Sequence, residues 1–284
     1  MKISSLRTIF HSKLSHLYEE REIEAIFFTY IEDKYHIKRH QYFLNTDDKI
    51  DFKNTDIEAL TNGTPIQYVT GKTTFCGLQL AVNPSVLIPR PETEELVALV
   101  LKNSYALTLF RSFALKLMDL CTGSGAIAIA LSKKIENVEV WATDISEDAL
   151  KTAKKNANAH QVEIHFLQHD ILNDNISFLP DNVDIIVSNP PYIPMNERSN
   201  MHKNVVDFEP NSALFVPDEN PLVFYNAIAK TAKKILRSGG VLYFETHEKF
   251  HLELTAMLSE EDFKDITLWN DINGKPRFAS GKKL

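Results

Sequence analysis

The feature that most constrains the fold is LMDLCTGSGAIAIALS, residues 117–132, which has the pattern of a strand, a turn of small residues and a helix. Gly123 and Gly125 allow backbone dihedral angles and close approaches that a side chain would block. A helix that begins near Ser124 presents free N–H groups to a ligand. The loop reads C-T-G-S-G-A rather than G-x-G-x-x-G, which argues against a nicotinamide dinucleotide. A packing turn without a ligand is the alternative.

From Pro91 onward, strand patterns and helix patterns alternate along the chain. The segment RPETEELVALVL predicts a helix that begins near Pro91, with acidic residues at its positive end. The strand candidates that follow are LKLMDL, VEVWATD, VEIHFLQ, VDIIVSN, VLYFET, DITLWND and PRFASGK. The last two flank Asn273-Gly274, which is typical of a hairpin turn at a sheet edge. We therefore predict an α/β fold with a mostly parallel sheet, helices on both faces and a terminal antiparallel hairpin.

Three regions follow one another along the chain. Residues 1–72 show helical periodicity and carry no chemical motif; the apolar positions that share one helix face there are Ile23, Ile26, Phe27, Tyr30 and Ile31. Residues 73–90 alternate apolar and polar residues around Gly77 and Pro84, which predicts a β-hairpin linker. Residues 91–284 form the predicted sheet domain.

The composition indicates a globular protein of the cytosol. The 284 residues are 44% hydrophobic and 24% charged, which is enough to build a sizeable core. No apolar run reaches the roughly 20 residues of a membrane helix, and the N-terminus lacks the apolar region of a signal peptide. The two cysteines, Cys76 and Cys121, indicate a reducing compartment and exclude a four-cysteine zinc site within one chain. The net charge of −7 disfavours a surface built to neutralise the phosphates of a nucleic acid.

Two acidic residues are predicted to lie at strand ends beside the glycine loop. Asp144 closes VEVWATD, 19 residues after Gly125, the spacing at which an acidic residue binds the ribose hydroxyls of an adenosine. Asp170, in LQHDIL, closes the next strand and is placed to meet the adenine amino group. Taken singly, a helix cap or a solvated carboxylate explains Asp144 equally well. Because ligands in such sheets bind at the carboxyl ends of the strands, the three features together predict an adenosine pocket.

A fourth strand end carries SNPPYIP, residues 188–194, directly after the apolar run VDIIV. Proline has no N–H for a strand ladder and fixes φ, so a strand terminator is the simplest interpretation. This segment lies at the same sheet edge as the predicted pocket, which favours a second interpretation: a rigid turn beside the ligand.

With these motifs in view, the sequence resembles class I S-adenosylmethionine-dependent amino-methyltransferases, through DLCTGSGAIAIAL, Asp144, Asp170 and NPPY. TPIQYVTGKTTF, LIPRPETEELV, SNPPYI and FEP resemble more specifically the PrmC/HemK family, from about residue 60 to the C-terminus. That resemblance implies a Rossmann-like, mostly parallel seven-stranded sheet with an antiparallel terminal hairpin, and a small N-terminal helical domain. One departure is Cys121, where the family usually has glycine; we expect cysteine to fit there if its φ is negative.

The resemblance also implies the reaction and the residues that perform it. The enzyme would transfer a methyl group from S-adenosyl-L-methionine to the side-chain amide N5 of the glutamine in the GGQ motif of bacterial class 1 peptide-chain release factors. The residues implied to bind the cofactor are Cys121, Thr122, Gly123, Ser124, Gly125, Asp144, Asp170, Ile171 and Asn189. Those implied to bind the substrate are Asn189, Pro190, Pro191, Tyr192, Arg90 and Glu245, of which Asn189, Pro190 and Tyr192 are implied to be catalytic. No metal is expected.

The chemistry explains why this family ends a strand on NPPY. An amide nitrogen is a poor nucleophile, so its lone pair must be aimed at the methyl carbon, in line with the departing sulfur. The side-chain oxygen of Asn189 and the carbonyl of Pro190 can each accept one N–H of the substrate amide. Two such dipoles also stabilise the positive charge that grows on the nitrogen. Tyr192 can lie flat against the planar amide.

Other functions share parts of this pattern. A nucleic-acid adenine N6-methyltransferase uses the same geometry but needs a basic surface to hold an unpaired base. A ribosomal-protein glutamine methyltransferase uses the same motif, and the sequence does not separate it cleanly. A protein that binds the cofactor without catalysis would have no use for the intact NPPY. HEKFH, residues 247–251, matches the zinc-protease pattern H-E-x-x-H, but it follows a predicted strand directly instead of lying within a helix.

Residues 193–218 are predicted to form a long, weakly patterned loop that covers the substrate. The helical region of residues 1–72 is predicted to dock the release factor and to fix its glutamine loop over the site. Neither a membrane nor a nucleic acid is expected as a partner.

Overall fold

The computed structural model describes residues 1–44, 46–108 and 113–284. The chain divides into two compact units. Unit 1 comprises Met1–Lys72, Val82–Pro84 and Met201–Phe208, and unit 2 comprises Thr73–Ala81, Ser85–Asn200 and Glu209–Leu284. The domain boundaries at residues 72 and 90 remain predictions from the sequence, which did not indicate that Met201–Phe208 belongs with the N-terminal helices.

The helices and strands are as follows. In chain order the helices are α1 (Ile3–Leu14), α2 (Glu20–Tyr35), α3 (Arg39–Tyr42), α4 (Asn54–Thr61), α5 (Ile66–Thr70), α6 (Pro91–Thr108), α7 (Ala126–Lys134), α8 (Glu147–Ala159), α9 (Lys203–Phe208), α10 (Val223–Ile235) and α11 (His251–Glu260). The strands are β1 (Lys72–Phe75), β2 (Leu78–Ala81), β3 (Leu115–Leu120), β4 (Val138–Asp144), β5 (His165–Gln168), β6 (Val183–Ser188), β7 (Ile193–Pro194), β8 (Phe215–Val216), β9 (Leu236–Glu245), β10 (Lys264–Asn270) and β11 (Pro276–Lys282). Among the described residues, no helix is both long and apolar enough to cross a membrane.

Unit 1 is a helical bundle around an aromatic core. The predicted apolar face of α2 is confirmed, since Ile23, Phe27, Tyr30 and Ile31 are buried and Ile26 is partly buried against the same core. The rings of Phe10 and Phe27 meet edge to face, with centroids 5.6 Å apart. Helix α9 is held in this unit by the side-chain amide of Asn204, which donates to the hydroxyl of Tyr18 over 2.6 Å.

Unit 2 contains a seven-stranded sheet within the described residues, in the order β10-β11-β9-β6-β3-β4-β5. Strands β9, β6, β3, β4 and β5 are parallel, whereas β11 is antiparallel to both β9 and β10. The predicted fold, with its terminal antiparallel hairpin, is therefore confirmed. The register pairs Leu120 with Thr143 and with Ser188, so the carboxyl ends of β3, β4 and β6 are level and their loops meet at one edge.

Helices cover both faces of this sheet because successive strand residues point to opposite sides. Leu115 and Leu117 of β3 enter the cluster that contains buried residues of α6 and α7 and Ala157 of α8. Met118 and Leu120 enter the other cluster, which is filled by α10 and α11. Two apolar layers thus hold the sheet rigidly and fix the position of the loops at its edge.

Strands β1 and β2 form a separate two-stranded hairpin. Its turn is Cys76-Gly77, and both residues have positive φ, 51° and 78°. Two positive φ values are what a tight two-residue hairpin turn requires. The side chain of Glu94 on α6 accepts the N–H of Cys76 over 2.7 Å, which ties this turn to the sheet unit.

The prediction that residues 193–218 form a long loop was wrong, and their role in covering the substrate stays a prediction. Strand β7 pairs in parallel with β8, and a 3₁₀ helix at Met195–Asn200, helix α9 and a 3₁₀ helix at Asn211–Ala213 occupy the segment between them. Each of these elements is two to six residues long. Elements so short produce no periodic apolar pattern, which is why the sequence did not reveal them.

Candidate active site

The loop after β3 adopts a conformation that depends on its glycines. Gly123 and Gly125 have φ values of 55° and 81°. A Cβ on Gly125 would approach side-chain atoms of Ala153 and Ile129 to 3.1 Å, so glycine is required there for packing. A Cβ on Gly123 would meet no atom within 4 Å. Gly123 therefore borders open space, as expected where a ligand approaches the backbone.

Cys121 also has a positive φ, 62°, so the condition under which cysteine was expected to fit, a negative φ, is not met. The left-handed region costs an L-residue about 1–2 kcal/mol, so cysteine is strained at a position where glycine would not be. Burial, followed by the charge of Asp144, raises the pKa of the Cys121 thiol. The thiol therefore stays neutral, and Cys121 acts as a small apolar residue in this loop.

Asp119, at the penultimate position of β3, is a residue of this site that was not predicted from the sequence. It is fully buried, and its Oδ2 atom accepts hydrogen bonds from the Thr122 hydroxyl at 2.6 Å and the Ala128 N–H at 3.2 Å. Its Oδ1 atom is buried without a partner among the described residues. Burial raises the pKa of Asp119 to about 7. A lone aspartate inside the apolar run LMDL was the signal that could have revealed it.

Asp144 ends β4 beside the glycine loop. Its Oδ2 atom accepts the N–H of Gly123 at 2.8 Å and its Oδ1 atom accepts the N–H of Ser146 at 2.9 Å. Burial raises the pKa of Asp144, and these N–H groups partly oppose that effect. Since a carboxylate has about four acceptor positions, each oxygen keeps capacity for a ligand hydroxyl. Asp144 therefore shapes the loop and remains able to bind.

A cavity of about 280 Å³ opens at this edge of the sheet. Its size is near the lower end of the roughly 300–1,000 Å³ that is typical of small-molecule sites. The predicted site residues that line it are Cys121, Thr122, Gly123, Ser124, Asp144, Asp170, Ile171, Asn189 and Pro191. Five other predicted site residues do not line the cavity: Gly125, Pro190, Tyr192, Arg90 and Glu245. The structure therefore brings together most of the predicted cofactor residues, and places several predicted substrate residues around them.

Asn189 follows β6 directly and lies at the wall of this cavity. Its side-chain nitrogen donates to the hydroxyl oxygen of Thr93 over 3.2 Å. Its side-chain oxygen accepts no hydrogen bond from the described residues. Pro190 and Pro191 are buried, which holds the turn in place. The arrangement leaves one fixed acceptor at the edge of the cavity.

Tyr192, Glu245 and Arg90 have defined partners within unit 2. The Tyr192 hydroxyl donates to Oε1 of Glu245 over 3.1 Å, and burial raises the pKa of this phenol. Glu245 is 1% exposed, so in this conformation it contacts neighbouring side chains of the site and does not line the cavity. Nη2 of Arg90 lies 2.6 Å from Oε1 of Glu209, whose Oε2 accepts the N–H of Ile88 at 3.1 Å. Their contacts with substrate remain predictions.

Glu209 joins two walls of the cavity. Its partners Ile88 and Arg90 flank Pro89, and its chain neighbour is Pro210; both prolines line the cavity. In the sequence, Glu209 belongs to FEP, a motif that contributes to the family resemblance but does not indicate this pairing. A carboxylate that pairs with an arginine 119 positions earlier in the chain has no local sequence signal.

The HEKFH motif supports the turn after NPPY through its first histidine. Nε2 of His247 is 3.2 Å from Oε2 of Glu197, and Nδ1 of His247 accepts the N–H of Lys249. His251 instead contacts the hydroxyl of Thr246, 2.5 Å away. The motif lies in the loop before α11 and in its first turn, not within a helix. Among the described residues, no group of three His, Cys, Asp or Glu side chains is placed to hold a metal ion.

Comparisons with known proteins identify the family. The family described as "Methyltransferase small domain" matches residues 102–208. The chain is 41% identical over 282 residues to the release factor glutamine methyltransferase of Flavobacterium psychrophilum, with 98% of both chains covered. This chain belongs to the release factor glutamine methyltransferase family. A second member, from Bacteroides thetaiotaomicron, is 42% identical over 228 residues, which cover 80% of this chain and 79% of the relative.

Solved structures of other methyltransferases share the fold of this family member. A T. thermophilus 16S rRNA methyltransferase in complex with AdoMet and guanosine is 19% identical, with a TM-score of 0.52 over 75% of this chain and 50% of that chain. A human methyltransferase 10 domain containing protein is 18% identical, with a TM-score of 0.51 over 73% of this chain and 90% of that chain. At these identities the likeness establishes the class I methyltransferase fold alone.

The residues around the cavity fit S-adenosylmethionine, the methyl donor that the sequence resemblance implies. The open space at Gly123 lets a ligand reach the loop backbone. Asp144 and Asp170 offer acceptors for ribose hydroxyls and for an exocyclic amine. Asp170 is exposed. Within the described part of the chain, the N–H of Leu172 donates to its Oδ1 atom at 3.0 Å, and its Oδ2 atom accepts no hydrogen bond. The donors and acceptors that an adenosine needs are therefore present.

Proposed function

We propose that this protein transfers a methyl group from S-adenosyl-L-methionine to the side-chain amide N5 of the glutamine in the GGQ motif of class 1 peptide-chain release factors. The observation that carries the proposal is the free side-chain oxygen of Asn189 at the wall of the cavity. The family membership supports it, because the relatives that cover most of the chain are named for this reaction.

The geometry accounts for how a poor nucleophile reacts. S-adenosylmethionine supplies a methyl group on a positively charged sulfur. The side-chain oxygen of Asn189 and the carbonyl of Pro190 accept the two N–H hydrogens of the glutamine amide, which turns its lone pair towards that methyl carbon. Bound there, S-adenosylmethionine would supply the methyl group, whose bond to sulfur would break as its bond to nitrogen forms, and the nitrogen would release one proton to water. The two acceptors also stabilise the positive charge that develops on the nitrogen.

The release factor is the proposed partner, and unit 1 is its proposed docking surface. Phe43 and Leu44 of unit 1 are adjacent, apolar and exposed, at 62% and 82%. Exposed apolar side chains next to each other are typical of protein contacts. We place the reaction in the cytoplasm, where a release factor meets the ribosome.

Two other substrates use the same chemistry. An adenine amine would fit the two acceptors equally well, but the net charge of −7 does not suit the phosphates that accompany it. A ribosomal-protein glutamine would also fit the acceptors, and the names of the relatives favour the release factor instead.

The test is incubation of the enzyme with isotopically labelled S-adenosylmethionine and purified release factor, followed by mapping of the label by mass spectrometry. We expect a single methyl group on the GGQ glutamine. A release factor in which asparagine replaces that glutamine is the matched control and should remain unlabelled. Label on an RNA or on ribosomal protein in a parallel reaction, with none on the release factor, would contradict the proposal.

A further inference from the structure

The buried carboxylate of Glu245 is connected to both polar side chains of the NPPY turn. It contacts Tyr192 directly and Asn189 through the hydroxyl of Thr93. Glu245, the last residue of β9, accepts the Thr93 hydroxyl at Oε2 over 2.7 Å and the Tyr192 hydroxyl at Oε1 over 3.1 Å. Thr93 in turn receives the side-chain N–H of Asn189. The backbone carbonyl of Glu245 accepts the Tyr225 hydroxyl over 3.1 Å, which anchors the end of the strand.

The direction of these hydrogen bonds fixes the orientation of Asn189. A threonine hydroxyl has one hydrogen, and Thr93 gives it to Glu245. Towards Asn189 it can therefore only accept, so the NH₂ group of Asn189 must face it. The side-chain oxygen of Asn189 must then face the other way, where it is free to accept an N–H of the substrate.

Loss of the acceptor at Glu245 would remove this restriction. The Thr93 hydroxyl could then donate to the side-chain oxygen of Asn189, and the amide could turn by half a rotation. In that orientation the NH₂ group of Asn189 would face the NH₂ group of the substrate glutamine. Both groups are donors, so no hydrogen bond could form between them. The same carboxylate holds the Tyr192 hydroxyl, so both side chains would lose their orientation together.

Both oxygens of Glu245 accept a hydrogen bond, as the oxygens of an ionised carboxylate do. Burial raises the pKa of this carboxyl, whereas the hydrogen bonds from Thr93 and Tyr192 and the charge of Arg277 favour ionisation. Among the residues that the structure describes, the side chain of Glu245 has these two hydroxyls as its hydrogen-bond partners. A buried carboxylate whose hydrogen bonds go to two side chains beside a cavity points to a role at that cavity.

We propose that Glu245 is a positioning residue, which acts through Thr93 and Tyr192 to hold Asn189 with its oxygen towards the substrate amide. This role rests on the proposed function. It differs from the substrate contact that the sequence resemblance implied for Glu245, because the carboxylate reaches the reaction through other side chains.

Glu245→Gln is the first test, because glutamine has the same shape but only one acceptor oxygen. One of the two hydroxyls must then face an NH₂ group. We expect kcat for the release factor to fall by about 10²-fold, the effect of a small misplacement of a reacting group. The dissociation constant of S-adenosylmethionine, measured by calorimetry, should change little. Unchanged kcat in a folded variant would contradict the positioning role.

A matched pair at Thr93 separates orientation from packing. Thr93→Val keeps the shape and removes the hydroxyl, whereas Thr93→Ser keeps the hydroxyl and removes a methyl group. We expect Thr93→Val to lower kcat as Glu245→Gln does, and Thr93→Ser to retain most of it. If both variants lose activity in proportion to their thermal stability, Thr93 and Glu245 are merely structural.

A double-mutant cycle distinguishes failure of this inference from failure of the proposed function. If Glu245 acts by orienting Asn189, then Glu245→Gln should lower kcat far less in an Asn189→Ala background than in the wild type. If Asn189→Ala alone is nearly as active as the wild type, the proposed mechanism itself fails. If Asn189→Ala is impaired but the two effects multiply, only the role of Glu245 is wrong.

Discussion

The side-chain nitrogen of Asn189 lies 3.2 Å from the hydroxyl oxygen of Thr93, and the side-chain oxygen of Asn189 has no partner among the described residues. A polar atom with a fixed direction and no partner is prepared for a ligand. The oxygen sits at the carboxyl end of β6, beside the loop of β3 and the carboxylate of β4. Substrate amide and cofactor would therefore meet where three strand ends converge.

Asp144→Ala should weaken the binding of S-adenosylmethionine. The substitution removes the acceptors proposed for the ribose hydroxyls, and a hydrogen bond to a charged group is worth roughly 1.5–3 kcal/mol. Calorimetry should therefore show about a 10- to 150-fold increase in the dissociation constant. Asp148→Ala, an aspartate on α8 whose side chain is 72% exposed, is the control and should bind normally. Equal affinities in the two variants would show that Asp144 does not bind the cofactor.

Cys121→Gly should stabilise the protein relative to Cys121→Ala. At a φ of 62° alanine keeps the left-handed strain and glycine relieves it. The expected difference in the free energy of unfolding is about 1 kcal/mol, after the entropy that glycine loses on folding is subtracted. Denaturant titration of both variants measures it directly. A more stable alanine variant would mean that the loop does not hold this φ in solution.

The stability of the protein should depend on pH through Asp119. Its pKa is about 7 in the folded chain, against an unfolded value near 4. The folded state therefore binds the proton of Asp119 more tightly than the unfolded state does. The contribution of this proton to the free energy of unfolding is complete below pH 4 and is lost as the pH rises through 7. The loss is at most about 4 kcal/mol. It is measured as the pH dependence of the free energy of unfolding, which Asp119→Asn should flatten and Asp148→Asn should not. Equal slopes in wild type and Asp119→Asn would contradict the prediction.

The docking role of unit 1 predicts a difference between whole release factor and a short GGQ peptide. Replacing Phe43 and Leu44 by alanine should raise KM for the release factor and leave KM for the peptide unchanged. Leu252→Ala is the control, because Leu252 in unit 2 is also 82% exposed. Substitution is preferable to deletion of residues 1–72, since Met201–Phe208 belongs to the same unit. Equal changes for both substrates would argue that unit 1 does not dock the release factor.

The sequence predicted the bounds of several strands of the sheet correctly. LKLMDL and PRFASGK match β3 and β11 to the residue. Strand β9 begins at Leu236, five residues before the predicted VLYFET, because RSGG is polar and flexible and carries no strand pattern. Strand β5 begins at His165, three residues later than predicted. Local pattern thus predicted which elements exist better than where they end.

The parts of the site that the sequence missed depend on contacts between distant residues. The role of Asp119 depends on the loop after β3, which folds back so that the Thr122 hydroxyl donates to the Asp119 carboxylate. Glu209 pairs with Arg90 from 119 positions away, and Thr93 meets Glu245 from 152 positions away. The φ of Cys121 could not be read from its residue type, since cysteine normally avoids positive values. The motifs predicted candidate site residues, but not the distant side chains that contact them.

The most direct test of the account is the rate at which Asn189 variants methylate the release factor, measured beside their affinity for S-adenosylmethionine. Asn189→Ala should lower kcat by about 10²–10³-fold, the usual effect of removing one preorganised polar contact to developing charge. Asn189→Asp keeps an acceptor and should retain partial activity, and cofactor affinity should change much less than kcat in both variants. A folded Asn189→Ala variant that methylates glutamine at close to the wild-type rate would show that the NPPY turn only terminates β6.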